Sequence, residues 1–189
     1  MKKILAMYVA AMLLAVFPAQ AVPVLQLDIS GGTYDVGTQT VVTSSDQFTL
    51  SALGTANLLG QTFFISAALT PKVDAANFDF GSFTIGGVTY NATSSDMTFG
   101  TPPDTGDLGP HGIYETYYTE IAFEFDGSQV ATYNSEDSPG GATAGTGTYI
   151  NSWEVDVAGL LEGYELHFDL YNADRSLFAP FSHDAETVR

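Results

Sequence analysis

Residues 166–170, Leu-His-Phe-Asp-Leu, alternate strictly between apolar and polar side chains. A period of two is the pattern of a β-strand that turns one face toward a core. The same alternation recurs at 47–53 (QFTLSAL), 119–125 (TEIAFEF) and 153–157 (WEVDV). In each segment we expect the apolar residues to face the core and the acidic residues to face solvent.

Turn residues divide the chain at the spacing of an all-β fold. Gly86-Gly87 separates two short β-prone segments and predicts a two-residue hairpin. The sequence therefore predicts one all-β domain over 22–189, an antiparallel β-sandwich of jelly-roll-like type with about eight to eleven strands. Segments 100–112 and 134–147, rich in Gly, Pro and small polar residues, are predicted to be long surface loops.

The first residues have the layout of a signal peptide. Lys2 and Lys3 precede the apolar run 4–17, and Ala19 and Ala21 form an A-x-A cleavage site. The apolar run is shorter than the roughly 20 residues of a membrane span. A signal anchor or a buried helix is the alternative interpretation. No second apolar segment of spanning length follows, so we expect an exported protein without a transmembrane segment after cleavage.

The chain is strongly acidic. It has 22 Asp and Glu against 5 Lys and Arg, and loss of the signal peptide with its two Lys would take the formal net charge from −17 to −19. Such a polyanion lacks the basic patch that binds a phosphate backbone or an anionic membrane surface. We therefore expect no nucleic-acid partner. Because the chain has no Cys, disulfides, thiolate metal sites and cysteine nucleophiles are excluded.

The three His residues are candidates for a metal site, because imidazole and carboxylates together bind zinc and similar divalent ions. His111 lies in the first loop, and His183 precedes Asp184 near the C-terminus. We predict that His111, His183 and Asp184 are neighbours, either as hydrogen-bonding groups that close the sandwich or as metal ligands. His167 and Asp169 share one face of a strand, and the simpler interpretation is a polar strand face.

Calcium is the other candidate ion, because it takes six to eight oxygen ligands from carboxylates, carbonyls and waters. Asp74 and Asp79 lie close together before Gly81, but their spacing does not match an EF-hand loop. The alternative is that acidic loops keep an exported protein in solution. We expect that no cofactor is required and that calcium is the ion such loops would bind.

Aromatic residues suggest a second kind of site. Tyr114, Tyr117, Tyr118 or Trp153 could stack on sugar rings if exposed. Buried tyrosines would instead be core residues with bonded hydroxyls. Carboxylates are too abundant to identify a hydrolytic pair, and the chain has no G-x-S-x-G elbow.

Three segments carry a resemblance to a known family: 24–35 (VLQLDISGGTYD), 109–120 (GPHGIYETYYTE) and 178–186 (FAPFSHDAE). Together they resemble the choice-of-anchor N family of exported bacterial surface proteins, over nearly the whole of the predicted mature chain. The resemblance implies a Gram-negative envelope protein, often with a PEP-CTERM tail that an exosortase processes, from a family without an assigned enzymatic activity. Residues 186–189 contain no P-E-P motif, apolar segment or basic tail, so release of the protein and a tail beyond Arg189 both stay open.

The predicted function follows from location more than from chemistry. We expect an exported cell-surface or extracellular-matrix β-sandwich with a structural or adhesive role and no catalysis. Extracellular polysaccharide or other surface proteins would be its partners. A carbohydrate-binding module and a hydrolase that uses a carboxylate pair or a His-bound metal are the alternatives.

Overall fold

A computed structural model describes residues 21–102 and 115–188 of the chain. Within these ranges the chain forms thirteen β-strands and one short 3-10 helix, Phe181–His183. The strands form two sheets that pack together, which confirms the predicted all-β sandwich. In the described ranges, no helix has the length and apolar character needed to cross a bilayer. The predicted signal segment lies outside the described residues, including Ala19, and Ala21 is the first described residue.

One sheet has six strands, and all of its pairings are antiparallel. Its members are β1 (Leu25–Ile29), β4 (Gln47–Gly54), β6 (Asp79–Ile85), β7 (Val88–Thr93), β10 (Gln129–Ala131) and β11 (Gly147–Asp156). The order is β1-β4-β11-β6-β7, and β10 also pairs with β11. Ile85 pairs with Val88, so Gly86-Gly87 closes the two-residue hairpin that the sequence predicts.

The other sheet has seven strands. Its members are β2 (Thr33–Asp35), β3 (Thr40–Thr43), β5 (Phe63–Thr70), β8 (Thr98–Gly100), β9 (Thr116–Phe123), β12 (Glu165–Asn172) and β13 (Asp184–Thr187). Their order is β2-β3-β13-β12-β5-β9-β8.

The architecture differs from the prediction in two details. The sandwich is not wholly antiparallel, because β13 pairs parallel to β3. These strands lie far apart in sequence, so no hairpin dictates their relative direction. Thirteen strands also exceed the predicted eight to eleven, because β2, β8 and β10 have three residues each. Strands this short are too brief to show a period of two.

The core lies between the two sheets and is built from the apolar positions of the alternating segments. Leu27, Leu50 and Phe168 are fully buried there. The rings of Phe48 and Phe168 meet edge to face across the interface, with centroids 6.2 Å apart. The period of two thus identifies the inward faces of these strands correctly.

Strand β12 departs from the pattern on its polar face. It is the fourth of seven strands in its sheet. Phe168 faces the core, but His167 and Asp169 on the opposite face are also buried, at 6% and 1% exposure. The prediction that the acidic residue of this segment faces solvent is therefore wrong. Flanking strands β13 and β5 shield the polar row from both sides.

The predicted loop 134–147 is observed between β10 and β11, and it is fastened to β1. Asp28 of β1 accepts a hydrogen bond from the Tyr133 hydroxyl at 2.5 Å and another from the backbone N–H of Gly140 at 2.8 Å. Of the other predicted loop, residues 103–112 lie outside the described part of the chain.

Candidate metal centre

Strands β12 and β13 bring three potential metal ligands together. The two strands pair with His167 opposite Glu186 and Phe168 opposite Ala185, and this register places Asp184 beside Asp169. Nε2 of His167 lies 3.6 Å from Oδ1 of Asp169 and 3.8 Å from Oδ2 of Asp184. One ligand atom from each residue lies within 4.8 Å of the other two. We refer to His167, Asp169 and Asp184 as the His–Asp–Asp centre.

The members of this centre are buried and lack hydrogen-bond partners. Their side chains are 7%, 1% and 0% exposed. Nε2 of His167, Oδ1 of Asp169 and both carboxylate oxygens of Asp184 make no hydrogen bond to any described residue. A buried polar group left in this state costs about 1–3 kcal/mol, and a charged group costs more. One ligand atom from each of the three residues lies within 4.8 Å of the other two, and this arrangement of buried, unpartnered groups indicates a site that receives a ligand.

The centre holds an excess of negative charge. Carboxylate oxygens of Asp169, Asp184 and Glu186 lie 3.6, 3.8 and 3.7 Å from the ring nitrogens of His167. Burial raises the pKa of Asp184 well above its usual value. Burial by itself lowers the pKa of His167, but the three carboxylates outweigh burial and raise that pKa well above its usual value. Both side chains therefore bind a proton more strongly than usual, and another cation at the centre would offset the same negative charge.

Neighbouring side chains orient the ligands from behind. Ser66 of β5 donates from its hydroxyl to Oδ2 of Asp169 at 2.6 Å, which leaves Oδ1 directed at the centre. Oε2 of Glu186 lies 3.7 Å from Nδ1 of His167, the ring nitrogen that does not face the other two ligands. The hydroxyl of Thr70 donates to Oε1 of Glu186 at 3.4 Å. Supporting groups of this kind fix metal ligands in proteins.

This arrangement suits a divalent cation. One imidazole nitrogen and two carboxylate oxygens form a common ligand set for such ions. A cation would offset the excess negative charge and would give the buried carboxylate of Asp184 a partner.

The structure separates His183 from its sequence neighbour Asp184. Nδ1 of His183 lies 2.7 Å from the Ser182 hydroxyl, and Nε2 lies 2.9 Å from Oδ1 of Asn134. Burial lowers the pKa of His183 to about 4, so the ring is neutral, with Nδ1 accepting from Ser182 and Nε2–H donating to Asn134. His183 ends the 3-10 helix and Asp184 begins β13, and among the described residues His183 does not belong to the group of potential ligands that contains Asp184.

The remaining predicted metal ligands do not join the centre. His111 lies outside the described residues. Asp74 and Asp79 are exposed, and neither belongs to a group of three or more potential ligands in the described ranges. Oδ1 of Asp79 instead accepts from the backbone N–H of Gly81 at 3.0 Å. These two acidic residues thus match the alternative interpretation, a solvated acidic surface.

The predicted aromatic platform does not form an exposed strip. Tyr117 and Tyr118 are 9% and 1% exposed, because they point to opposite faces of a strand that is covered on both faces at this point. Trp153 is half-buried and packs edge to face on Phe123, with centroids 4.9 Å apart. Tyr114 lies outside the described residues. The core interpretation therefore holds for the three described members.

The sequence analysis named Asp184 as a candidate ligand, but for His167 and Asp169 it preferred a polar strand face to a metal site. The available signal was a pair of short patterns, His-Phe-Asp at 167–169 and Asp-Ala-Glu at 184–186. Each pattern alone fits a solvated strand face. Only the pairing of β12 with β13 turns the two patterns into one site.

Three comparisons with known proteins give no match to this chain. No protein-family model matches the chain. The search of curated proteins finds no match either. No solved structure is similar to the fold. Membership of the choice-of-anchor N family accordingly stays a prediction.

Proposed function

We propose that this chain is an exported structural domain whose buried His–Asp–Asp centre binds one divalent cation and performs no catalysis. The observation that supports the proposal is that buried, unpartnered ligand atoms of His167, Asp169 and Asp184 lie within 4.8 Å of one another. The cation would tie β13, the last described strand, to β12 in the middle of the seven-stranded sheet.

Burial supports a structural role over a catalytic one. Structural metal sites are closed, whereas catalytic sites keep an open position for water and substrate. The three side chains of the centre are at most 7% exposed, so a substrate would have no approach to a bound ion. The hydrolase alternative with a His-bound metal needs such an approach.

The location of the protein completes the proposal. The signal-peptide pattern of residues 1–21 and the acidic composition support a protein that is secreted or held at the surface of a Gram-negative cell. The resemblance to choice-of-anchor N proteins adds extracellular polysaccharide or other surface proteins as partners. The domain would then be a stable module of the cell surface or extracellular matrix.

A thermal-shift series tests the metal-binding function. The purified protein is stripped with a chelator and melted with Zn²⁺, Mn²⁺, Ca²⁺ or Mg²⁺ over a range of concentrations. A cation that binds only the folded state adds about 2.7 kcal/mol at 100 times its Kd, which raises the melting temperature by several degrees. The same experiment on D184N should show no shift, because that variant removes a ligand at nearly constant volume.

The matched control is D74N, which changes an exposed Asp outside the centre and should keep the full shift. H167Q provides a second ligand variant in case D184N does not fold. If no divalent ion stabilises the wild-type protein, or if D74N and D184N respond alike, the proposal is wrong.

A further inference from the structure

We infer that the His–Asp–Asp centre is a four-coordinate site for a first-row transition ion of the zinc type, and not a calcium site. The inference rests on the proposed function, because it assumes that the centre binds a divalent cation. The ligand atoms are Nε2 of His167, Oδ1 of Asp169 and Oδ2 of Asp184.

The spacing of the ligand atoms is compatible with binding but does not select the ion. The two distances from Nε2 are 3.6 and 3.8 Å. Tetrahedral zinc ligands at about 2.1 Å lie about 3.4 Å from one another, and calcium ligands at about 2.4 Å in octahedral positions have a similar separation. A contraction of a few tenths of an ångström would suit either ion. The number and the chemistry of the ligand atoms therefore distinguish zinc from calcium.

The number of available oxygens is too small for calcium. Calcium takes six to eight oxygen ligands, and it does not favour an imidazole nitrogen. Oδ2 of Asp169 is occupied by the hydroxyl of Ser66 at 2.6 Å, so Asp169 offers one oxygen. Oε2 of Glu186 lies 3.7 Å from Nδ1 of the imidazole, and Glu186 does not belong to the group of ligand atoms formed with Asp169 and Asp184. Among the described side chains this leaves one nitrogen, one oxygen of Asp169 and the carboxylate of Asp184.

That remaining set matches a zinc-type ion. Three protein ligands and one further position, filled by the second oxygen of Asp184 or by water, complete a tetrahedron. Zinc accepts imidazole nitrogen and carboxylate oxygen readily. A buried site favours an ion that needs few ligands, because a calcium ion would have to keep several waters.

Glu186 acts as a positioning residue for His167. A carboxylate next to Nδ1 holds the proton on that nitrogen and turns the lone pair of Nε2 toward the metal. The structure places Oε2 of Glu186 at 3.7 Å from Nδ1, while Nε2 faces Asp169 and Asp184. Closing that gap requires only a small movement of a side chain that is 18% exposed.

An ion-pair cluster without metal explains the geometry less well. A protonated His167 bonded to its carboxylates would draw N–O distances of about 2.8 Å. The observed distances of 3.6–3.8 Å are too long for hydrogen bonds, and both oxygens of Asp184 stay unpartnered. Ligand atoms held at these separations without hydrogen bonds between them are what a bound ion requires.

The test compares the affinities of the wild-type protein for zinc and calcium, and then compares the zinc affinities of two His variants. Isothermal titration of the chelator-stripped protein with Zn²⁺ and with Ca²⁺ should give one zinc site that binds at least 100-fold more tightly than calcium. Co²⁺ in place of Zn²⁺ should give the intense visible absorption of a four-coordinate ion. H167Q should lose at least 100-fold in zinc affinity, whereas H183Q, which changes a buried His outside the centre, should keep it.

E186Q separates positioning from folding. The loss of a supporting carboxylate costs metal sites about 10- to 100-fold in affinity, and E186Q should show that loss with the melting temperature of the metal-free protein unchanged.

The outcomes are distinguishable. One calcium ion bound as tightly as zinc and lost in D184N would overturn this inference and leave the proposed function standing. A weak, six-coordinate Co²⁺ spectrum would do the same. No binding of any ion would overturn both.

Discussion

At the scale of single residues, burial of polar groups is the main feature of this molecule. Asp28 is 2% exposed and accepts hydrogen bonds from Tyr133, Ile29 and Gly140. Burial raises the pKa of Asp28 above its usual value near 3.8, and these hydrogen bonds offset only part of the effect. Unlike the His–Asp–Asp centre, this carboxylate has partners for both oxygens, so it needs no ligand.

Asp28 should make stability depend on pH with a defined sign. Because its pKa is raised in the folded state, its stabilising contribution is complete below about pH 3.8 and declines as the pH rises through the folded-state pKa. The difference in unfolding free energy between wild type and D28N should therefore fall with rising pH and then level off. Urea denaturation of both proteins from pH 3.5 to 7.5 measures the difference and cancels other titrating groups. A difference that is flat or that rises with pH contradicts the assignment.

Two glycines with the same backbone conformation should respond differently to substitution. Gly81 and Gly163 have φ of +87° and +85°, but a Cβ on Gly81 would lie 2.0 Å from the carbonyl oxygen of Gly159, whereas a Cβ on Gly163 would meet open space. We expect G163A to cost about 1–2 kcal/mol from backbone strain alone. G81A should cost at least about 3 kcal/mol, because the backbone must also move apart. Chemical denaturation measures both, and equal losses would show that the close approach is unimportant.

At the scale of elements, β13 lies between β3, from the first part of the chain, and β12, from the last part. It pairs parallel with β3 and antiparallel with β12, and it contributes Asp184 to the centre. The Thr187 hydroxyl accepts a hydrogen bond from the backbone N–H of Leu166 at 2.9 Å, which fastens the end of the strand. The strand has only four residues, and a bound ion in the centre would add to its pairing with β3 and β12.

Metal binding should therefore protect β13 more than distant strands. We expect zinc to slow amide hydrogen exchange in β12 and β13 at least tenfold relative to the chelated protein, because opening of β13 would release the ion. Strand β7, at the edge of the other sheet, should change little. Exchange measured by mass spectrometry with and without zinc tests this. Equal protection of β7 and β13, or none in either, would contradict the role of the ion as a fastener.

At the scale of the whole molecule, an acidic sandwich without Cys depends on its core, its hydrogen bonds and the proposed ion. A net charge of −17 lets the protein attract divalent cations over its surface, but in the described part only the centre brings together potential ligands from three buried residues. Surface attraction is screened by salt, whereas binding inside the fold is screened much less. Raising the ionic strength should therefore weaken the binding of cations to the surface more than their binding to the centre.

Export should be visible in the mass of the protein. We expect cleavage after Ala21, because the small side chains of Ala19 and Ala21 occupy the two positions that the cleavage site requires. Val22 would then be the first residue of the mature protein. Mass spectrometry of protein recovered from the periplasm or medium of a Gram-negative host measures the mature terminus. A19L and A21L should block cleavage, and Q20L, which changes the unconstrained middle position, should not. Uncleaved wild-type protein in the cytoplasm would contradict export.

The amino-acid sequence by itself determined the class of fold. The period of two in segments such as 47–53 and 166–170 selects strands, and Gly86-Gly87 selects a hairpin, because both follow from local backbone geometry. The apolar half of each alternation also identifies the core, as Phe168 shows.

The tertiary structure alone decided where the polar half of the alternation lies and which residues form the site. Alternation shows that His167 and Asp169 share a face, but it does not show that the face is buried in the middle of a seven-stranded sheet. Asp184 reaches them through the pairing of β13 with β12, and the parallel pairing of β13 with β3 is just as remote in sequence. Strand pairing is a long-range choice that local patterns do not encode, so the His–Asp–Asp centre exists only in the folded protein.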